Sequence, residues 1–356
     1  MSIWSTSIKC WRRARMIKGH GNNLYHFGER EIEFDFSSNV AFNNHSQQIC
    51  DYLSGVMNSI GDYPDPEARE LTEALAKQLL VSEDELLVTN GSAEAFYLIA
   101  HFMQRQGRVR TAVVVPSFAE YEDSCRVYGH EMDFIGFDEL RGGDLSAYGS
   151  VWFGLPNNPD GVRVDCAEVR RLAERYAECY FVVDRAYNEL SREVERSWDL
   201  PKNIIIVDSF TKLYGVPGLR LGYLIGAADV VAELSNIRPP WSVNSLSQLA
   251  GLYILEHYDE LQIDRVELIG EAKYLQREIA KIDGFRVVPS ECNFFVVEIE
   301  REGVTSEDLQ RYLIENHGIL IRDCSNFRTL TPQYFRVAAQ PRTACDRLIS
   351  ALKQWR

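Results

Sequence analysis

The chain has 356 residues, 46% apolar and 25% charged, which excludes wholesale disorder and allows two domain-sized units or one large domain with an appendage. Its 38 basic residues stand against 52 acidic ones, a net charge of −14, so a broad nucleic-acid surface is disfavoured while a local basic pocket for a small anion is allowed. No apolar run approaches the ~20 residues that cross a bilayer, and the chain reads as a soluble, cytoplasmic protein without membrane or nucleic-acid partners.

Residues 1–18 carry Lys9, Arg12, Arg13, Arg15 and Lys18 without a following apolar stretch, so a secretory signal is not expected. They read as a basic extension, either a frayed tail or a segment preceding a true start at Met16. The eight cysteines and seven histidines show no C-x-x-C, H-x-x-x-H or H-x-E grouping. Neither a metal site nor a disulfide framework is expected, and the thiols read as reduced.

Further along, Asp65-Pro66-Glu67 has the pattern of a helix start, followed by Leu71, Leu75 and Leu79 at spacing four. Short apolar runs then alternate with amphipathic stretches. Ala112–Val115, Val151–Leu155, Phe181–Val183 and Ile204–Val207 are apolar on both faces and of strand length, as buried parallel strands require. Asp165 caps a predicted helix running towards Glu178. A long helical pattern covers roughly Ser245 to Ile282. After it, strands at Phe294–Val297 and Tyr334–Val337 mix with helices at Ser306–Asn316 and Thr343–Trp355. The expected architecture is α/β: a large doubly wound, mostly parallel sheet domain with a smaller α+β domain. The expected divisions are the extension 1–18, an N-terminal arm and part of the small domain at 19–60, the large domain at 61–244, and a linking helix with the C-terminal small domain at 245–356.

Ligands of open α/β sheets bind beyond the carboxyl ends of the strands. Five such ends carry polar or aromatic groups: Asn90-Gly91-Ser92-Ala93-Glu94, Pro116-Ser117-Phe118, Asn157-Asn158-Pro159, Asp184-Arg185-Ala186-Tyr187 and Ser209-Phe210-Thr211-Lys212. The first offers a tight turn and the free N–H groups of a new helix, an arrangement that binds phosphate. The last places a lysine at a strand end, with a hydroxyl three residues before and Arg220 eight after. Such a lysine condenses with a carbonyl cofactor if its pKa is lowered, while Ser209 and Arg220 are able to hold a phosphate. A surface lysine with a structural arginine is the plainer alternative.

The segment 209–222 resembles the lysine motif of fold-type I pyridoxal-phosphate enzymes of the class I/II aminotransferase family, which have the aspartate-aminotransferase fold. The order of the other segments agrees from about residue 19 onwards. Within that family the chain is similar to the histidinol-phosphate aminotransferase branch and more similar still to the threonine-phosphate decarboxylases, segments of which Gly19-His20-Gly21-Asn22, Asp35–Asn39, Phe118–Tyr121, Pro240–Asn244 and Ile321–Cys324 resemble. The resemblance implies pyridoxal 5'-phosphate in a Schiff base with Lys212, the later proton carrier. It implies Asp184 on the pyridinium nitrogen, Asn158 and Tyr187 on the 3-oxygen, and Phe118 on the ring face. Ser92, Ala93, Ser209 and Arg220 would hold the phosphate, with Tyr63 reaching the phosphate of a neighbouring subunit in a homodimer with shared sites.

Arg336 matches the arginine that binds a substrate acid group, and Arg322 is either a second such arginine or an internal salt-bridge partner. His20, Asn22 and Asn39 are further substrate-site candidates; the His20 segment covers the site or is an ordinary polar loop. Asp160 stands where the family usually has threonine, and its charge is expected to point to solvent. The expected activity is decarboxylation of threonine phosphate, as in cobalamin side-chain biosynthesis, with histidinol-phosphate-type transamination with 2-oxoglutarate as the alternative. A cofactor-binding protein without catalysis is a third reading. A fused DNA-binding regulator would need a module of about 60–70 residues, for which 1–18 is too short.

Overall fold

The computed structural model describes residues 31–43, 45–195 and 201–355. His20, Asn22 and the basic extension lie outside the described residues. The first strand, β1 (Phe34–Asp35), joins the C-terminal part of the chain; the next seven form one sheet. These are β2 (Leu86–Thr89), β3 (Arg110–Val114), β4 (Glu131–Ile135), β5 (Ser150–Gly154), β6 (Tyr180–Asp184), β7 (Ile204–Ser209) and β8 (Gly222–Ile225). Their order is β2-β8-β7-β6-β5-β3-β4, and only β8 runs against its neighbours. The four apolar runs of the sequence are thus the parallel centre, β3, β5, β6 and β7.

Their alternation explains why both faces are apolar. Ala112, Val114, Val151, Phe153 and Val183 enter one core, and Val113, Trp152, Val182, Ile205 and Val207 enter the other. Helices cover both: α1 (His45–Gly55), α2 (Arg69–Leu79), α3 (Gly91–Arg105), α4 (Ala119–Val127), α5 (Phe137–Gly142), α6 (Cys166–Arg175), α7 (Phe210–Tyr214), α8 (Ala228–Ile237) and α9 (Ser245–Glu256). The first core takes side chains from α1, α2, α6 and α9, the second from α3, α4 and α8.

The C-terminal part adds α10 (Arg265–Ile279), β9 (Phe285–Val287), β10 (Phe294–Ile299), α11 (Ser306–His317), β11 (Ile319–Leu320), β12 (Arg322–Asp323), β13 (Tyr334–Ala338) and α12 (Arg342–Gln354). The sheet β12-β13-β10-β9 is antiparallel, and β1 pairs in parallel with β11. Leu275, Ile279, Phe295, Phe335, Leu348 and Leu352 pack together beneath it.

Two expectations change. The helix after Asp65 starts at Arg69, behind an Ala68 in the left-handed region (φ 52°). Asp65 instead folds the preceding turn, accepting from the backbone N–H groups of Glu67 and Arg69 and from the Arg69 side chain. The pattern from Ser245 to Ile282 divides into α9 and α10, because Asp264 caps a new helix by accepting from the N–H of Glu267 at 2.9 Å. Asp165 caps α6 as expected, accepting from the Ala167 N–H at 2.8 Å.

Candidate active site

The parallel strands end at one edge of the sheet, and there a cavity of ≈ 540 Å³ opens against the small sheet. Lys212 lies on α7, a helix of five residues whose first turn is capped by the Ser209 hydroxyl accepting from the Thr211 N–H at 3.1 Å. The Lys212 amine donates to the carbonyl of Ser38 at 2.8 Å. Burial, reinforced by the positive charges of Arg336 and Arg220, lowers its pKa to about 8. An amine so placed is substantially neutral near pH 8 and therefore nucleophilic.

Asp184 closes β6. Its Oδ1 accepts from the Ala186 N–H at 3.0 Å and its Oδ2 from the Tyr121 phenol at 2.6 Å. Burial raises its pKa, while the Tyr121 hydrogen bond is the largest opposing influence. Tyr187 is buried with its ring edge-on to Phe294, 4.7 Å between centroids. Asn158 accepts from the Arg336 guanidinium. Phe118 precedes α4 and lines the same cavity.

Ser92 and Ala93 stand in the first turn of α3, where N–H groups lack intrahelical partners. Arg220, itself in the left-handed region (φ 57°), brings its guanidinium against Gly91. A Cβ on Gly91 would lie 2.7 Å from that guanidinium; one on Gly222 would lie 2.7 Å from both the carbonyl carbon of Gly91 and the backbone nitrogen of Ser92. Side-chain-free backbone on both sides thus makes a cradle in which N–H groups, a hydroxyl and a guanidinium converge. That donor set fits a phosphate, and Asp184 with Lys212 fits a protonatable ring and an aldehyde.

Arg322 and Arg336 are register partners on β12 and β13, and both line the cavity. Arg336 is buried; it donates to the Ser37 carbonyl at 2.6 Å and to Asn158, and its Nε has no partner. Arg322 donates to Asn326 at 2.8 Å, with its guanidinium 5.2 Å from the Phe327 ring centroid. Arg328, by contrast, is already matched: two of its nitrogens reach the buried carboxylate of Glu122 at 2.5 and 2.7 Å.

Two other candidates sit apart from the cavity wall. Asn39 is buried with φ 55°, between the lining residues Ser38 and Val40, and does not itself line the cavity. Tyr63 is 85% exposed and rests against Trp241, 5.3 Å between ring centroids. Asp160 corrects an expectation. Its carboxylate turns inward, accepting from the Asn157 amide at 2.8 Å and the Val162 N–H at 3.1 Å, because it closes the turn between them. Burial raises its pKa.

Tyr121, Glu122 and Arg328 join the site without a role expected from the sequence. Tyr121 had an available signal: three residues after Phe118, it falls on the same helical face. Pairing of Glu122 with Arg328, 206 positions apart, has no local signature.

A histidinol-phosphate aminotransferase of Caldanaerobacter subterraneus is 30% identical over 319 residues, 84% of this chain and 88% of that protein. The crystal structure of L-threonine-O-3-phosphate decarboxylase from Porphyromonas gingivalis superposes with a TM-score of 0.86 at 33% identity, covering 90% of this chain and 98% of that one. Histidinol-phosphate aminotransferase from Sinorhizobium meliloti, solved with pyridoxal-5'-phosphate, shares the fold at a TM-score of 0.83 and 20% identity, covering 99% and 98% of the two chains. The family model for aminotransferase class I and II matches residues 33–352. With a lysine, a buried carboxylate and a cradle of N–H donors at one sheet edge, the chain belongs to the class I and II aminotransferase family, and its cofactor is pyridoxal phosphate.

Proposed function

We propose that this enzyme acts on a phosphorylated amino acid and removes its carboxylate, in the manner of a threonine-phosphate decarboxylase. The observation that carries the reading is the pair Arg322 and Arg336: two guanidiniums on adjacent strands, both lining the cavity that holds Lys212. No carboxylate of the described residues pairs with Arg336, whereas Arg328 is matched by Glu122. Two cations in one small cavity suit a substrate bearing more than one negative charge. The relative at 33% identity is such a decarboxylase, which supports the same substrate class.

Bound, the cofactor supplies an electron sink for whichever α-carbon bond lies perpendicular to its ring. The protein's part is to choose that bond. In our reading Arg322 and Arg336 hold the substrate phosphate, and the carboxylate is left out of the ring plane. Lys212, still protonated in an appreciable fraction near pH 8, would deliver from its ammonium the proton that replaces the carboxylate on the α-carbon. Asp184 would hold the ring nitrogen, Asn158 and Tyr187 the 3-oxygen, and Phe118 the ring face. Ser92, Ala93, Ser209 and Arg220 would hold the cofactor phosphate.

The second reading has Arg336 holding the α-carboxylate in the ring plane, which exposes the α-proton and favours transamination. The anchoring of Arg336 by Asn158 and Ser37 supports it, as does the 30% identical aminotransferase. Incubation with threonine phosphate separates the two. Release of CO₂ with formation of aminopropanol phosphate supports the first; no CO₂ but glutamate-dependent turnover of histidinol phosphate's keto partner supports the second.

We also read the enzyme as a homodimer. Tyr63, Ile60, Met57 and Trp241 are exposed large apolar residues, which suits Tyr63 reaching a neighbouring subunit's cofactor phosphate. Sedimentation, together with restored activity on mixing Tyr63→Phe and Lys212→Ala subunits, tests this.

A further inference from the structure

We propose that Tyr121 is a positioning residue for the cofactor's ring nitrogen, acting through Asp184: its phenol keeps that carboxylate ionised and aimed, so that the shared proton stays on the ring. The proposal rests on reading Asp184 as the partner of that nitrogen.

Tyr121 is 1% exposed, and its hydroxyl donates to Asp184 Oδ2 at 2.6 Å, a short contact in keeping with an ionised acceptor. The Ala186 N–H holds the other oxygen. With both oxygens tethered, the plane of the carboxylate is fixed at the end of β6. The phenol is in turn fixed by an aromatic enclosure: Phe96 at 5.0 Å, Phe118 at 5.9 Å and Trp152 at 6.4 Å between ring centroids. Phe118, the ring-face candidate, and Tyr121 flank the first turn of α4, so one helical turn sets both the cofactor's stacking surface and the tether of its nitrogen partner.

The electrostatics require such a tether. A carboxylate buried this deeply tends to take up a proton. Besides Tyr121, the titratable groups that face it are Lys212, whose charge favours ionisation, Asp208, whose negative charge opposes it, and Tyr187, a phenol that burial keeps neutral. Burial holds the Tyr121 phenol far above its ordinary pKa, so it remains a donor at every working pH. Deprived of this donor, Asp184 becomes more basic and competes for the ring proton. With the ring nitrogen protonated, the cofactor would favour the deprotonated form of its link to Lys212, and Tyr121, through Asp184, sustains that condition.

The readout is the pH midpoint at which the visible band of the bound cofactor converts to its deprotonated form. In Tyr121→Phe the midpoint is expected to rise by about one pH unit. Replacement of Tyr121 by 3-fluorotyrosine, a stronger donor of nearly the same shape, is expected to lower it. An unchanged midpoint in the fluorotyrosine protein overturns the proposal, including where Tyr121→Phe does not fold. Asp184→Asn is the companion measurement. If it leaves both the midpoint and cofactor retention unchanged, the reading of Asp184 itself fails; if it alters them while both Tyr121 replacements do not, only the role of Tyr121 fails.

Discussion

Replacing Lys212 by methionine in the cofactor-free protein is expected to stabilise it, by an amount that falls as pH rises. The amine's pKa is about 8 in the folded chain against an ordinary 10.5, with burial the main cause and the charges of Arg336 and Arg220 adding to it. Between those two values the unfolded chain binds one proton more than the folded chain, so stability rises with pH across that window. Below pH 8 the folded protein carries the full cost of charging this amine, about 3 kcal/mol at pH 7. At pH 9.5 about 1 kcal/mol of it remains. Because Lys212 is partly open to the cavity, solvent makes these upper values. Methionine has no such cost, and its apolar contribution is the same at both pH values. The stability difference between variant and wild type should therefore shrink by up to about 2 kcal/mol between pH 7 and 9.5. Urea unfolding at the two pH values measures it. A difference independent of pH would refute the claim that the fold depresses this amine.

Two further outcomes follow from groups beside and behind the site. His130 is buried with Nε2 at 2.9 Å from the Ala100 carbonyl and Nδ1 at 2.8 Å from the Thr111 hydroxyl, so the neutral ring donates at Nε2 and accepts at Nδ1. Burial lowers its pKa, so the protein should lose stability as pH falls below 6.5, and His130→Gln should show a shallower loss between pH 7 and 5 in urea unfolding. In Gly222→Ala the new methyl meets the backbone of Gly91 and Ser92 at 2.7 Å and the Asp208 carbonyl at 2.9 Å. Backbone rather than a side chain must yield, at about 1–3 kcal/mol, which displaces the phosphate cradle and weakens cofactor binding about five- to a hundredfold. Fluorescence titration with pyridoxal phosphate measures this, and unchanged affinity would show that the Gly91–Ser92 backbone does not hold the phosphate.

Much of this protein was legible in the chain alone because it is carried by local chemistry. The runs at 112–115, 151–155, 181–183 and 204–207 are apolar at both alternations, which only a strand covered on both faces tolerates, and each is followed at once by its polar strand-end residues. Those ends share one edge because parallel strands must, so the sequence alone groups Ser92, Phe118, Asn158, Asp184, Ser209 and Lys212. What local chemistry could not carry was decided by tertiary structure. The pairing of Arg322 with Arg336 depends on strand register, and that of Glu122 with Arg328 on how α4 meets a loop 206 residues away. The inward turn of Asp160 depends on the Asn157 amide and Val162 N–H that await it. Tyr121 reaches Asp184 only because β6 ends beneath the first turn of α4, a distance set by packing and not by sequence separation.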